Sequence, residues 1–193
     1  MQSFSYKQTP LYYQDIGEGK VVLYIHGFLE NHSMWKNTIE NFSSKCRCVA
    51  PDLFGHGNSP ALGYVHSMNV ALELLKLQSE KITEIVLLNS TPLPDSTERK
   101  KDRERAIRAI QKFPDAFVQM AVKNLFLPEK QNRLAKEIDE AISEAKKCSQ
   151  HGIIATLQGL KNRVNHVETF ANAKCNKLVI AGKKDQVVPF EFK

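Results

Sequence analysis

The chain alternates short apolar runs with segments whose apolar positions recur at helical spacing. Phe4 to Gly17 alternates in character and closes on a glycine, which predicts a β-hairpin. Val21-Val-Leu-Tyr-Ile is a continuous apolar run, too short for a helix and rich in β-branched residues, as a buried parallel strand would be. It runs straight into a turn at His26-Gly27-Phe28. Across 31–43, an Asn/Ser start precedes Met34, Trp35, Ile39 and Phe42, spaced for one face of a helix. Cys46-Arg-Cys-Val-Ala-Pro predicts the next strand, and Asp52-Leu-Phe-Gly-His-Gly-Asn-Ser-Pro a glycine-rich loop after it. Val70 to Glu80 reads as a helix, and Ile82 with Ile85-Val-Leu-Leu as another buried strand.

From Pro92 to about Phe170 the pattern is purely helical. Leu134, Ile138, Ile142 and Ala145 make one stripe; Ile153, Ile154, Leu157 and Leu160 make another. Lys177-Leu-Val-Ile-Ala returns to strand before Gly182-Lys-Lys-Asp185. Strands alternating with helices predict an α/β fold, a mostly parallel sheet with flanking crossover helices. A helical block between two such strands predicts an inserted cap. The division is a core over 1–91 and 173–193 and a helical cap over 92–172.

Composition narrows this little. At 193 residues, 42% hydrophobic and 25% charged, the chain is an ordinary globular domain, which excludes collagen-like and disordered classes. No apolar run is long enough to span a membrane, and the start lacks the apolar core of a secretory signal. Four cysteines in that setting predict free thiols and a cytoplasmic location. Cys46 and Cys48 alternate along a strand without a His or Cys cluster at metal spacing, so they read as packing residues. No metal or other cofactor is expected.

The net charge of +6 raises the question of a nucleic-acid or acidic partner. The excess sits in Glu98-Arg-Lys-Lys-Asp-Arg-Glu-Arg-Ala-Ile-Arg, where acids interrupt the bases. Ile107, Ile110, Phe113 and Phe117 recur behind those charges, as in an amphipathic surface helix. With no aromatic interleaving and no phosphate loop, the run reads as a solvated face, and neither nucleic acid nor membrane is an expected partner.

The loops carry the specific signal. A strand ending in His26-Gly27-Phe28, then Trp35, then Ala50-Pro51-Asp52-Leu-Phe-Gly55-His56-Gly57-Asn58-Ser59 resembles the α/β-hydrolase family. The resemblance continues in Val86-Leu-Leu-Asn-Ser-Thr-Pro before a helical cap, and in Leu178-Val-Ile-Ala-Gly-Lys-Lys-Asp185-Gln-Val-Val-Pro189. It implies hydrolysis of a small apolar ester or thioester through a serine acyl-enzyme. It also implies an oxyanion hole that includes the Phe28 N–H, an acid at Asp185 that orients a histidine, and no cofactor. His26 and Gly27 would hold the turn, and Asp52 and His56 would brace the neighbouring loop. Asp185 also fits a turn-capping carboxylate after Gly182-Lys-Lys.

The chain departs from the family pattern around the nucleophile. Ser59 to Ile82 is too short for a helix, a strand, an elbow and a second helix of ordinary length. The candidate nucleophile is Ser67, in His66-Ser67-Met68-Asn69 before Val-Ala-Leu, yet Val65 and Asn69 stand where the elbow has glycines. The alternative takes Leu62 to Met68 as the tail of the preceding loop, running directly into the helix after the elbow. On that alternative the elbow strand is absent. Family triads run Ser, acid, His, and no histidine follows Asp185 here. His151 and His166 precede it, in the helical block. A sheet edge near Val179 would lie open and favour self-association. Two functions remain: an ester hydrolase, or a hydrolase-like ligand-binding or inactive chain without turnover.

Overall fold

The structure, a computed structural model, describes residues 1–62 and 69–188. Strands β1 (Gln2–Tyr6) and β2 (Thr9–Ile16) form the hairpin. Its two-residue turn places Lys7 and Gln8 at φ of 48° and 63°, the mirror-image turn whose twist suits a tight hairpin. β2 continues antiparallel onto β4 (Arg47–Pro51), and β4 pairs in parallel with β3 (Val21–Leu23). The strand order is therefore β1-β2-β4-β3. Gly17 leaves β2 at a φ of 87°, and a Cβ there would run into the carbonyls of Ser43 and Cys46. Only glycine turns the chain so close to the end of the next helix.

A second sheet pairs β5 (Glu84–Leu88) in parallel with β6 (Asn176–Ile180). No ladder joins β3 to β5 among the described residues. The two sheets meet through an ion pair at their leading ends, Lys20 Nζ to Glu84 Oε1 at 2.9 Å. The sequence predicts this sequence of strands, and the fold is α/β. The difference is that the sheet comes in two pieces, with two of its four pairings antiparallel.

Helix α1 (Lys36–Phe42) follows a 3-10 turn at His32–Trp35 and packs Ile39 against Cys46, Cys48 and Ala50 of the β4 region. Cys46 and Cys48 are buried free thiols in that cluster. Helix α2 (Val70–Leu77) sets Leu72 and Leu75 against Ile85 and Leu87, so β5 buries every second side chain. Its alternate face is bare: Val86, Leu88, Leu178 and Ile180 are each between 44% and 53% exposed.

The helical block comprises α3 (Thr97–Lys112), α4 (Pro114–Lys123), α5 (Pro128–Gln131), α6 (Ala135–Ala145), α7 (Gln150–Lys161) and α8 (Val167–Asn172). Ser96 and Ser149 cap α3 and α7, each accepting a backbone N–H three residues on. The predicted stripes meet in one cluster: Ile110, Phe117, Ile138, Ile142, Ala145, Ile153 and Leu157 are all buried in it. Phe113 does not join them and is 66% exposed, a correction to the periodic reading. Pro114 opens a new helix there, so Phe113 sits at a corner and not on a continuous face. α8 packs Phe170 against the α2–β5 cluster.

Candidate active site

The turn after β3 is the most constrained feature. His26 is 4% exposed; its Nε2 accepts the Leu53 N–H at 2.9 Å, so its proton lies on Nδ1 and is donated to the Gly27 carbonyl at 2.8 Å. Burial holds its pKa below the ordinary value, against the opposing Gly27 carbonyl and Asp52. Both ring nitrogens are committed, so His26 is a strut between two loops and not a proton carrier. The Gly27 N–H is taken by Glu30 Oε2 at 2.8 Å, and burial pushes the Glu30 carboxyl up despite that bond. A Cβ at Gly27 would lie 2.7 Å from the same oxygen.

Phe28 and Leu29 lie between these ties and turn into the cap. Leu29 has a φ of 62°, rare for a branched apolar residue, yet is 4% exposed within the cap cluster, with Phe28 packed against it. Backbone held in a sparsely populated region by its surroundings is the form in which folds keep preset donor groups. The cap thus clamps the segment that bears the Phe28 N–H.

Asp52 braces the turn from below. Fully buried, it accepts the His32 N–H at 2.8 Å, the His32 Nδ1 proton at 2.7 Å, the Asn58 N–H at 2.9 Å and Asn58 Nδ2 at 3.2 Å. Burial pushes its pKa up, but the Asn58 and His32 donors together hold it below 3.8. His56 stacks on His26 with ring centroids 5.0 Å apart. Burial first, and then His26, push His56 down to about 4. Asn31 caps the following turn through Ser33 N–H and donates Nδ2 to Glu144 of α6, a second tie to the cap. Glu30 and His32 escaped the sequence reading, which had the Asn/Ser start at Asn31 but not its tie to Glu144. An Asn two residues before a Ser, where a helix begins, is a capping pattern.

The other candidate residues sit elsewhere. Asp185 follows β6 in a turn and accepts the Val187 and Val188 N–H groups on Oδ1, at 2.8 and 3.0 Å. Asn89, at the end of β5, fixes that turn by accepting the Gly182 N–H at 2.8 Å and donating its own to Ile180. Asp185 therefore stands at the exit of the second sheet, on a braced loop, with one oxygen serving as a turn cap. Ser67 and His66 lie outside the described residues. His166 is buried against Glu73 at 3.1 Å, and His151 is exposed.

Comparison with known proteins bears on the fold. The α/β-hydrolase-fold family profile matches residues 20–83, the segment holding β3, the His26–Gly27 turn and α2. A pimeloyl-[acyl-carrier protein] methyl ester esterase of Aliivibrio fischeri is 44% identical over 55 residues, 28% of this chain and 21% of the relative. A haloalkane dehalogenase of Mesorhizobium japonicum is 37% identical over 51 residues, 26% of this chain and 16% of the relative. The chain thus spans between a sixth and a fifth of the length of these curated relatives. Among solved structures, a thermophilic esterase of Thermogutta terrifontis superposes with a TM-score of 0.89 at 21% identity, over 99% of this chain and 84% of that one. An enol-lactonase of Burkholderia xenovorans gives 0.86 at 16%, over 99% and 85%. These superpositions show the α/β-hydrolase fold, and the profile match to residues 20–83 falls within it. Its named relatives include esterases. No helix among the described residues is long and apolar enough to cross a membrane.

Proposed function

We propose that the chain is an ester hydrolase that takes a small apolar ester or thioester and cleaves it through a serine acyl-enzyme. One observation carries this reading: His26, Glu30 and the helical block hold the chain on both sides of Phe28, which supports a preset amide donor there. Acyl transfer builds negative charge on the carbonyl oxygen, and a donor that need not reorganise lowers that barrier most. In the proposed reaction Ser67 Oγ bonds to the carbonyl carbon while a histidine outside the usual Ser, acid, His order takes its proton and Asp185 orients that histidine. Phe28 N–H binds the developing oxyanion, the C–O or C–S bond breaks as the alcohol or thiol leaves with the proton, and water then frees the acid and restores Ser67. The apolar residues under the cap would surround the acyl chain and exclude water.

The test is hydrolysis of p-nitrophenyl butyrate together with fluorophosphonate labelling, in the chain and in Ser67→Ala. Turnover with one adduct on Ser67, both lost in the variant, supports the proposal. A second reading, ligand binding without turnover, is favoured by the interruption between β3 and β5 among the described residues. It is selected by a chain that binds an acyl ester, melts cooperatively and takes no label. Labelling of a different serine refutes the assignment of Ser67 alone.

A further inference from the structure

Away from the turn, three guanidinium groups converge on one carboxylate. Asp95, whose side chain is fully buried, lies 2.8 Å from Arg163 Nη2, 3.1 Å from Arg103 Nε and 3.5 Å from Arg99 Nε. Arg99 and Arg103 stand one helical turn apart at the start of α3, where the helix terminus adds positive potential. Arg163 comes from the segment after α7, and Arg99 also reaches the Val187 carbonyl at 2.9 Å, on the Asp185 loop. Ordinary ion-pair hubs balance their charges; this one carries three cations to one anion.

Two further observations show that the excess is structural. The Arg163 side chain is only 9% exposed, yet its Nε meets no acceptor among the described residues. Burial first, and the like charges of Arg103 and Arg99, hold the Arg163 pKa below its ordinary value, with Asp95 the opposing acid. A buried guanidinium with an unused N–H is costly unless something else accepts it. The arginines also leave an approach from solvent, since Arg99 and Arg103 are 28% and 18% exposed. Arginine forks match the oxygens of phosphate in a bidentate geometry.

We propose that Arg99, Arg103 and Arg163 form an oxyanion-binding site, with Asp95 as its organising carboxylate and a dianionic phosphate group as its ligand. The excess of two charges matches a dianion. The site is separate from the acyl chemistry and stands whether or not Ser67 is a nucleophile.

The test is isothermal titration of the whole chain with inorganic phosphate and with glycerol phosphate, against chloride at equal ionic strength. Saturable one-to-one binding of phosphate is expected, weakened at least about tenfold in Arg163→Gln, the loss of one charge-assisted hydrogen bond. Arg99→Gln, at a more exposed position, provides the same test should Arg163→Gln fail to fold by circular dichroism. Asp95→Asn removes the competing carboxylate and tightens binding, the opposite sign from a hub whose only role is structural. Binding of inorganic phosphate alone assigns the site to the free ion; equal or tighter binding of glycerol phosphate assigns it to a phosphomonoester. No binding beyond that of chloride, or binding unchanged in folded Arg163→Gln and Arg99→Gln, overturns the proposal.

Discussion

His56 gives the residue scale its clearest consequence. In the unfolded chain it protonates near 6.5, whereas in the folded chain it stays neutral until about pH 4. The unfolded state therefore binds the proton first on acidification, and folding stability falls as pH drops through that window. The loss is on the order of 3 kcal/mol between pH 6.5 and 4. His26, shifted in the same direction by burial, adds to it. Below 3.8 the lowered Asp52 carboxyl takes over with the same sign, because protonation weakens the hydrogen bonds it accepts from His32 and Asn58. Urea denaturation at stepped pH measures this; His56→Leu should flatten the limb between 6.5 and 4 and leave the more acidic limb in place. A limb unchanged by that substitution would show that His56 is not the group responsible.

Single residues were also where the sequence spoke unevenly. His26, Gly27 and Asp52 were legible because a strand running into His-Gly, and an aspartate opening a glycine-rich loop, are local patterns. Glu30 and Leu29 were not, because their roles depend on what folds over them. Glu30 accepts an amide only in the closed turn, and Leu29 tolerates its φ only because the cap buries its side chain.

Elements are joined at one close backbone approach. Gly55, at a φ of 88°, lies so near α7 that a Cβ on it would meet Gly152 Cα at 3.0 Å, and a Cβ on Gly152 would run into the Gly55 carbonyl. Cap and core loop touch here through two glycines with no side chain between them. Gly152→Ala should gain helix propensity yet destabilise the chain by about 1–3 kcal/mol, because α7 must move off the loop. Thermal melting checks the sign, and a stabilised variant would mean that the cap rests more loosely on the core. Periodicity predicted the helices well because their stripes converge on a shared cluster. It failed at Phe113, where helical spacing carries through a proline that starts a new axis. Helix α8 shows the same limit: its spacing says helix, and only tertiary packing shows that it sits on α2 and β5.

At the scale of the whole molecule the outstanding feature is that the sheet of the described residues comes in two pieces. Val21 and Leu23 are 55% and 45% exposed on one side, and Val86, Leu88, Leu178 and Ile180 are bare on the other. Short spacing between Ser59 and Ile82 anticipated this interruption, but not the exposed Lys20–Glu84 ion pair that bridges the two pieces at one end. Apolar strands with unpaired edges template pairing with further chains. Self-association rising with protein concentration is therefore expected in sedimentation experiments. Val179→Lys, which places a charge on the β6 edge, should suppress it. Association unaffected by that charge would locate the contact on another face.

The ester-hydrolase reading is tested most directly by reaction with a fluorophosphonate, read by intact mass and peptide mapping. The reagent attacks only a serine that has a base and an oxyanion donor beside it. One adduct per chain on Ser67, absent in Ser67→Ala and reduced when Phe28→Pro removes the amide donor, is the result expected. An unlabelled chain that still melts cooperatively would contradict it, and would leave a hydrolase fold that binds without reacting.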